Sequence, residues 1–167
     1  MQYPLYAGLN ALPGIKDEEV ALLDVPVDLL LLRADLRELK IDCSALIAVP
    51  EWLGELVHFE VLHLDGSDLC RISGDCAVNC AVRALPEALG DTQMHKDLTL
   101  KSFGALNVLP LSIARSTSLE ALHIQSCGAL RELPSMSAMT RLTSLTLVKC
   151  DAVTELPCFG GLNVLRL

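Results

Sequence analysis

Leu119-Glu-Ala-Leu122-His-Ile124-Gln-Ser-Cys127-Gly-Ala-Leu130-Arg-Glu-Leu133-Pro134 carries apolar residues at relative positions 1, 4, 6, 9, 12 and 15. The next stretch, Leu142-Thr-Ser-Leu145-Thr-Leu147-Val-Lys-Cys150-Asp-Ala-Val153-Thr-Glu-Leu156-Pro157, repeats that spacing position for position. Self-similarity at a fixed interval of this size is the signature of a repeat architecture. Looser copies run upstream. Leu36-Arg-Glu-Leu39-Lys-Ile41-Asp-Cys43 leads to Val49-Pro50, and Phe59-Glu-Val-Leu62-His-Leu64 leads to Leu85-Pro86. His95-Lys-Asp-Leu98-Thr-Leu100-Lys-Ser-Phe103 leads to Leu109-Pro110, and Leu162-Asn-Val-Leu165-Arg-Leu167 opens a further copy.

The prolines keep the beat. Pro26, Pro50, Pro86, Pro110, Pro134 and Pro157 each follow Val or Leu, at intervals of 24, 36, 24, 24 and 23. The long interval places an insertion around residues 67–84, with Cys70, Cys76 and Cys80 inside it, on the rim or convex side. Residues 1–35 read as an irregular N-terminal repeat or cap, and residues 36–167 as the repeat domain.

Each L-x-L core alternates inward and outward, which is the period of a short strand. Stacked in parallel, such strands form a sheet whose leucines face the interior, each contributing roughly 1.5–3 kcal/mol on burial. One copy cannot exclude water from its own leucines, so several must stack. After each closing leucine the proline fixes φ and starts the return path. Pro50-Glu-Trp-Leu-Gly-Glu, Pro86-Glu-Ala-Leu-Gly-Asp and Pro110-Leu-Ser-Ile-Ala-Arg each predict one short helical turn with its Leu or Ile turned to the core. The expected fold class is α/β: a solenoid of roughly five to six coils, with a parallel sheet on one side and short helical turns on the other.

The L-x-x-L-x-L-x-x-C-x-x-L-x-x-L-P pattern resembles the leucine-rich repeat family, from Leu36 onward. The resemblance implies a curved horseshoe with a concave parallel sheet. It also implies that Cys127, Cys150 and Cys43 stand at the ladder position, packing as small hydrophobes that weakly satisfy turn backbone. Phe103 at that position departs from the pattern. Within the family the cysteine form is similar to the repeats of plant-type intracellular immune receptors, an expectation of a disease resistance-like regulatory role.

Composition bounds the function. The chain has 167 residues and is 51% hydrophobic but only 4% aromatic, as expected when one aliphatic core layer is copied. A net charge of −8, from 21 acidic and 13 basic residues, disfavours nucleic acid and anionic membrane as partners. The N-terminal stretch has neither the charged nor the continuous apolar region of a signal peptide. With seven cysteines, an odd number, a cytoplasmic protein with reduced thiols is expected. Cys70, Cys76 and Cys80 are spaced C-x5-C-x3-C, unlike paired zinc knuckles, so neither metal nor cofactor is expected. No nucleophile–base motif or phosphate loop occurs, so a non-enzymatic role is expected.

The alternation also marks the outward side chains, and with them the expected binding face. The central row is Lys40, His63, Thr99, His123, Thr146 and Arg166. Beside it run Asp42, Asp65, Lys101, Gln125 and Val148 on one flank, and Glu38, Val61, Asp97, Ala121, Ser144 and Val164 on the other. Mixed signs and modest side chains suit a protein partner. The expected function is a protein–protein interaction module, the sensor or regulatory part of a larger receptor-like protein. The alternative expectation is a truncated repeat fragment that self-associates through an uncapped C-terminal repeat without a specific partner.

Overall fold

The computed structural model describes residues 38–43, 48–49, 51–55, 60–66, 80–91, 96–159 and 164–166, with backbone alone at Leu39, Lys40, Asp42, Trp52, Glu55, Asp91 and 164–166. Residues 1–35, the expected cap, and 67–79, most of the expected insertion, lie outside the described residues.

Six short strands follow from the six L-x-L cores. They are β1 (Glu38–Asp42), β2 (Val61–Asp65), β3 (Asp97–Lys101), β4 (Ala121–Gln125), β5 (Ser144–Val148) and β6 (Val164–Arg166). All pair in parallel, in the order β1-β2-β3-β4-β5-β6, so each strand neighbours the next in sequence. In β2, β3 and β5 every second residue is buried and the others are half-buried. Leu62, Leu64, Leu98, Leu100, Leu122, Ile124, Leu145 and Leu147 thereby make one buried wall.

The return segments supply the opposite wall. A 3-10 turn (Glu51–Glu55), one α-helical turn, α1 (Ala88–Asp91), and a second 3-10 turn (Ile113–Arg115) follow Pro50, Pro86 and Pro110. The proline carbonyls open the later two, accepting from Leu89 N–H (3.1 Å) and Ile113 N–H (3.2 Å). Leu53, Leu89 and Ile113 all turn inward. The three turns stack closely. A Cβ added at Gly54 would fall on Ala88, and one added at Gly90 would fall on the Ser112–Ile113 backbone. Between β4 and β5 the return has no helix, and Met136 and Met139 fill the corresponding interior space.

Backbone bonds stitch the layers outside the sheet as well. Asp97 N–H donates to Glu60 O, Ala121 N–H to Lys96 O and Ser144 N–H to Glu120 O. Farther round, Asn107 N–H donates to Arg83 O and Arg131 N–H to Asn107 O. The β3 layer is therefore pinned to those of β2 and β4 at two separate places, which fixes its register against them.

The sequence pattern needs correcting at two points. Cys43 does not occupy the position of Cys127 and Cys150. Its N–H donates to Asp65 O, the same bond that Gly66, Ser102 and Ser126 make to the following layer, so it stands one place earlier. Cys80 and Val82, assigned to an insertion on the rim, are fully buried in the core. Cys80 lies beneath Gly66, where an added Cβ would come within 2.7 Å of the Cys80 Cβ, and its thiol donates to Cys43 O at 3.0 Å. The insertion has therefore ended by Cys80, because hydrophobic side chains from there onward complete the second layer.

After β3, β4 and β5 the chain turns through Ser102, Ser126 and Lys149 with φ of 61°, 56° and 54°. Left-handed backbone costs a non-glycine residue roughly 1–2 kcal/mol. Lys149 is exposed, so Lys149→Gly is expected to raise stability by up to about 1 kcal/mol, glycine's own entropy cost offsetting part of the relief. A urea midpoint that fails to rise would count against strain at this turn.

Candidate functional site: the outward face of the sheet

The face opposite the leucines is ordered by register alone. Lys40 pairs with His63, His63 with Thr99, Thr99 with His123, His123 with Thr146, and Thr146 with Arg166. The flanking rows follow, Asp42–Asp65–Lys101–Gln125–Val148 and Glu38–Val61–Asp97–Ala121–Ser144–Val164. Only backbone positions are described for Lys40, Asp42 and Arg166. The remaining members are half-buried except Gln125, which is exposed, and Val164, which is described by its backbone alone. Parallel strands lie about 4.8 Å apart, so members of a row are close enough to touch one partner side chain together.

Polar side chains on this face meet across strands. Lys101 Nζ donates to Asp65 Oδ2 at 2.7 Å, joining β3 to β2. His63 Nε2 lies 3.9 Å from Glu38 Oε1, and His123 Nε2 lies 3.9 Å from Asp97 Oδ2. The two histidines make the same diagonal, each reaching back one strand to the near flank. Thr99 Oγ1 also donates to Asp97 Oδ1 at 3.5 Å. Along the edge, Lys96 Nζ donates to Glu60 Oε2 at 3.0 Å and Arg141 lies 4.0 Å from Glu120.

The charge is unevenly spread. The first strands carry Glu38, Asp65, Asp97 and Lys101, whereas β4 and β5 present Ala121, Gln125, Ser144, Thr146 and Val148 beside His123. Exposed surface pairs contribute little net stability, about 0–1 kcal/mol each.

No protein-family model matches the chain. Over 169 residues it is 27% identical to Protein SUPPRESSOR OF npr1-1, CONSTITUTIVE 1 of Arabidopsis thaliana. That match takes in 80% of this chain but only 12% of the Arabidopsis protein, so the chain corresponds to a small part of it.

Sequence reasoning missed the cross-strand pairing. Its signal was present in part: Asp65 and Lys101 are opposite charges in one row. The histidine diagonals were not visible until register set Glu38 beside His63 and Asp97 beside His123. Among the described residues, no three His, Cys, Asp or Glu side chains gather where a metal could be held. No helix among the described residues is long and apolar enough to cross a membrane.

Proposed function

We propose that the chain is a leucine-rich repeat solenoid acting as a non-catalytic protein-interaction module, with the outward face of the parallel sheet as its concave binding surface. The observation that carries this reading is the unbroken register across six strands, which holds three rows of outward positions in place before any partner arrives. Little ordering entropy is then lost on binding. The neutral stretch over β4 and β5 gives apolar and hydrogen-bonding contact, and the paired charges over β1–β3 give orientation.

The partner is a protein, met in the cytoplasm. The 27% identity to the Arabidopsis protein supports a place for this chain as the regulatory or sensor portion of a larger immune-receptor-like protein. The paired cysteine-form repeats at Leu119–Pro134 and Leu142–Pro157 support the same reading.

The test compares three baits: the intact chain, a variant with Lys40, His63 and His123 all changed to Glu, and Leu111→Ser away from the sheet. A partner recovered with the intact chain and with Leu111→Ser should fall at least about tenfold with the triple variant, the order expected from losing central contacts. Matched unfolding midpoints check that the triple variant is folded. Equal recovery with all three baits would remove the sheet face as the binding surface.

A further inference from the structure

We propose that the partner's contact with the sheet centres on β4 and β5, and that it is made by an uncharged, extended segment presenting main-chain amides and aliphatic side chains. The inference rests on the reading of the outward face as a binding surface and goes on to name what that face takes. Six outward side chains form a grid of two strands by three places: Ala121 beside Ser144, His123 beside Thr146, and Gln125 beside Val148. Five are half-buried and Gln125 is exposed. Places along a strand are about 6.6 Å apart and the strands about 4.8 Å. The grid is therefore about 13 Å long, the span of four extended residues. It ends at β5, because Arg166 follows Thr146 in the central row.

Charge and hydrogen-bonding capacity divide the face at β3. On the β1–β3 side, polar groups already have neighbours within the protein. Lys101 Nζ donates to Asp65 Oδ2 at 2.7 Å, and Thr99 Oγ1 donates to Asp97 Oδ1 at 3.5 Å. Glu38 and Asp97 each face a histidine at 3.9 Å. A partner covering these groups strips water from charges that are already matched, a cost that new contacts must first offset.

The grid is different. Among the described residues, the side chains of Ser144, Thr146 and Gln125 have no hydrogen-bond partner. A hydroxyl and a carboxamide each donate and accept, which matches the N–H and C=O groups of a neutral peptide. Ala121 and Val148 supply methyl surface at diagonal corners of the grid. A charged partner group set over these six side chains would lose water without meeting an opposite charge. Asp97 and Lys101, on the flanking strand, are opposite in sign, and Lys101 is committed to Asp65. The paired charges guide approach, an effect on association rate more than on affinity. The neutral grid holds the complex, so the complex resists salt.

The test repeats the capture with the intact chain as bait. It follows the protein retained at about 0.05 M NaCl as salt rises to about 0.5 M, where the screening length is about threefold shorter. Recovery should change by less than about twofold. Thr146→Lys puts a charge in the grid and should lower recovery about tenfold, and the isosteric Gln125→Glu should lower it in the same direction. Asp65→Asn combined with Lys101→Gln removes the shortest charge pair outside the grid and should stay within about twofold of the parent. Urea midpoints check folding, and the exposed Gln125 site decides should Thr146→Lys unfold the chain. Recovery that falls tenfold with salt would overturn the inference and leave the sheet face as the binding surface. So would recovery lost in the Asp65/Lys101 double variant and kept in both grid variants. Retention of a second copy of the chain and nothing else would also overturn it. No protein retained at either salt would remove the binding-surface reading itself, and this inference with it.

Discussion

Truncating Phe103 to alanine should cost about 3–5 kcal/mol of stability. Phe103 is fully buried and heads the fully buried side chains by volume. It stands after β3 at the place that Cys127 and Cys150 take after β4 and β5, so one layer holds an aromatic ring where its neighbours hold a thiol. Layers above and below are pinned by backbone bonds at two places, and this limits how far they can collapse into the space left behind. Phe103→Leu keeps most of the volume and should cost less than about 1.5 kcal/mol. Urea unfolding of both variants checks the pair. A loss below about 1 kcal/mol for Phe103→Ala would mean that the interior closes around the gap.

Gly90→Val is expected to be comparably severe, above about 3 kcal/mol, at the upper end of overpacking costs. The obstacle is backbone, not a movable side-chain tip. An added Cβ would fall on Ile113 N and Ser112 C, with Ser112 Oγ also in the way. That hydroxyl is buried without a hydrogen-bond partner among the described residues, while Ser112 N–H donates to Glu87 Oε2 at 3.1 Å, so the segments that open α1 and the following 3-10 turn are already tied together. Relief would require the two turns to separate, exposing Leu89 and Ile113. A domain of ordinary stability, about 5–15 kcal/mol, has little room for such a loss. Gly128→Ala is the control, since an added Cβ there meets nothing within 4 Å, and should stay within about 0.5 kcal/mol of the parent. Equal midpoints for the Gly90 and Gly128 variants would show that the stacking of turns is softer than its geometry implies.

The parallel sheet was legible in the sequence because one physical rule generates it. L-x-L alternation fixes which side chain faces in, and equal spacing of Leu122 and Leu145 to their prolines fixes register. What escaped has local causes. The left-handed turns at Ser102, Ser126 and Lys149 lack the glycine that would announce them. Cys43 looked like a ladder residue because composition does not reveal a shift of one position. Cys80 and Val82 were hidden by the length before them, since an insertion gives no sign of where the core resumes. Met136 and Met139 replace a helical turn with flexible side chains, a substitution that proline spacing does not report. On the outward face, the positions were legible and the histidine–carboxylate contacts were not, because a diagonal contact needs two strands placed together.

The 36-residue interval between Pro50 and Pro86 has a consequence for addressing positions in this molecule. Lys101 and Asp65 are 36 residues apart and touch at 2.7 Å, while Thr143 and Glu120, 23 apart, meet at 3.2 Å between Thr143 Oγ1 and Glu120 O. Separation along the chain is thus a poor coordinate here. Strand number and place within the strand are the natural pair of axes, like row and column on a grid. Substitutions scattered over a hundred residues of sequence can share one column, and adjacent residues can face opposite sides of the wall.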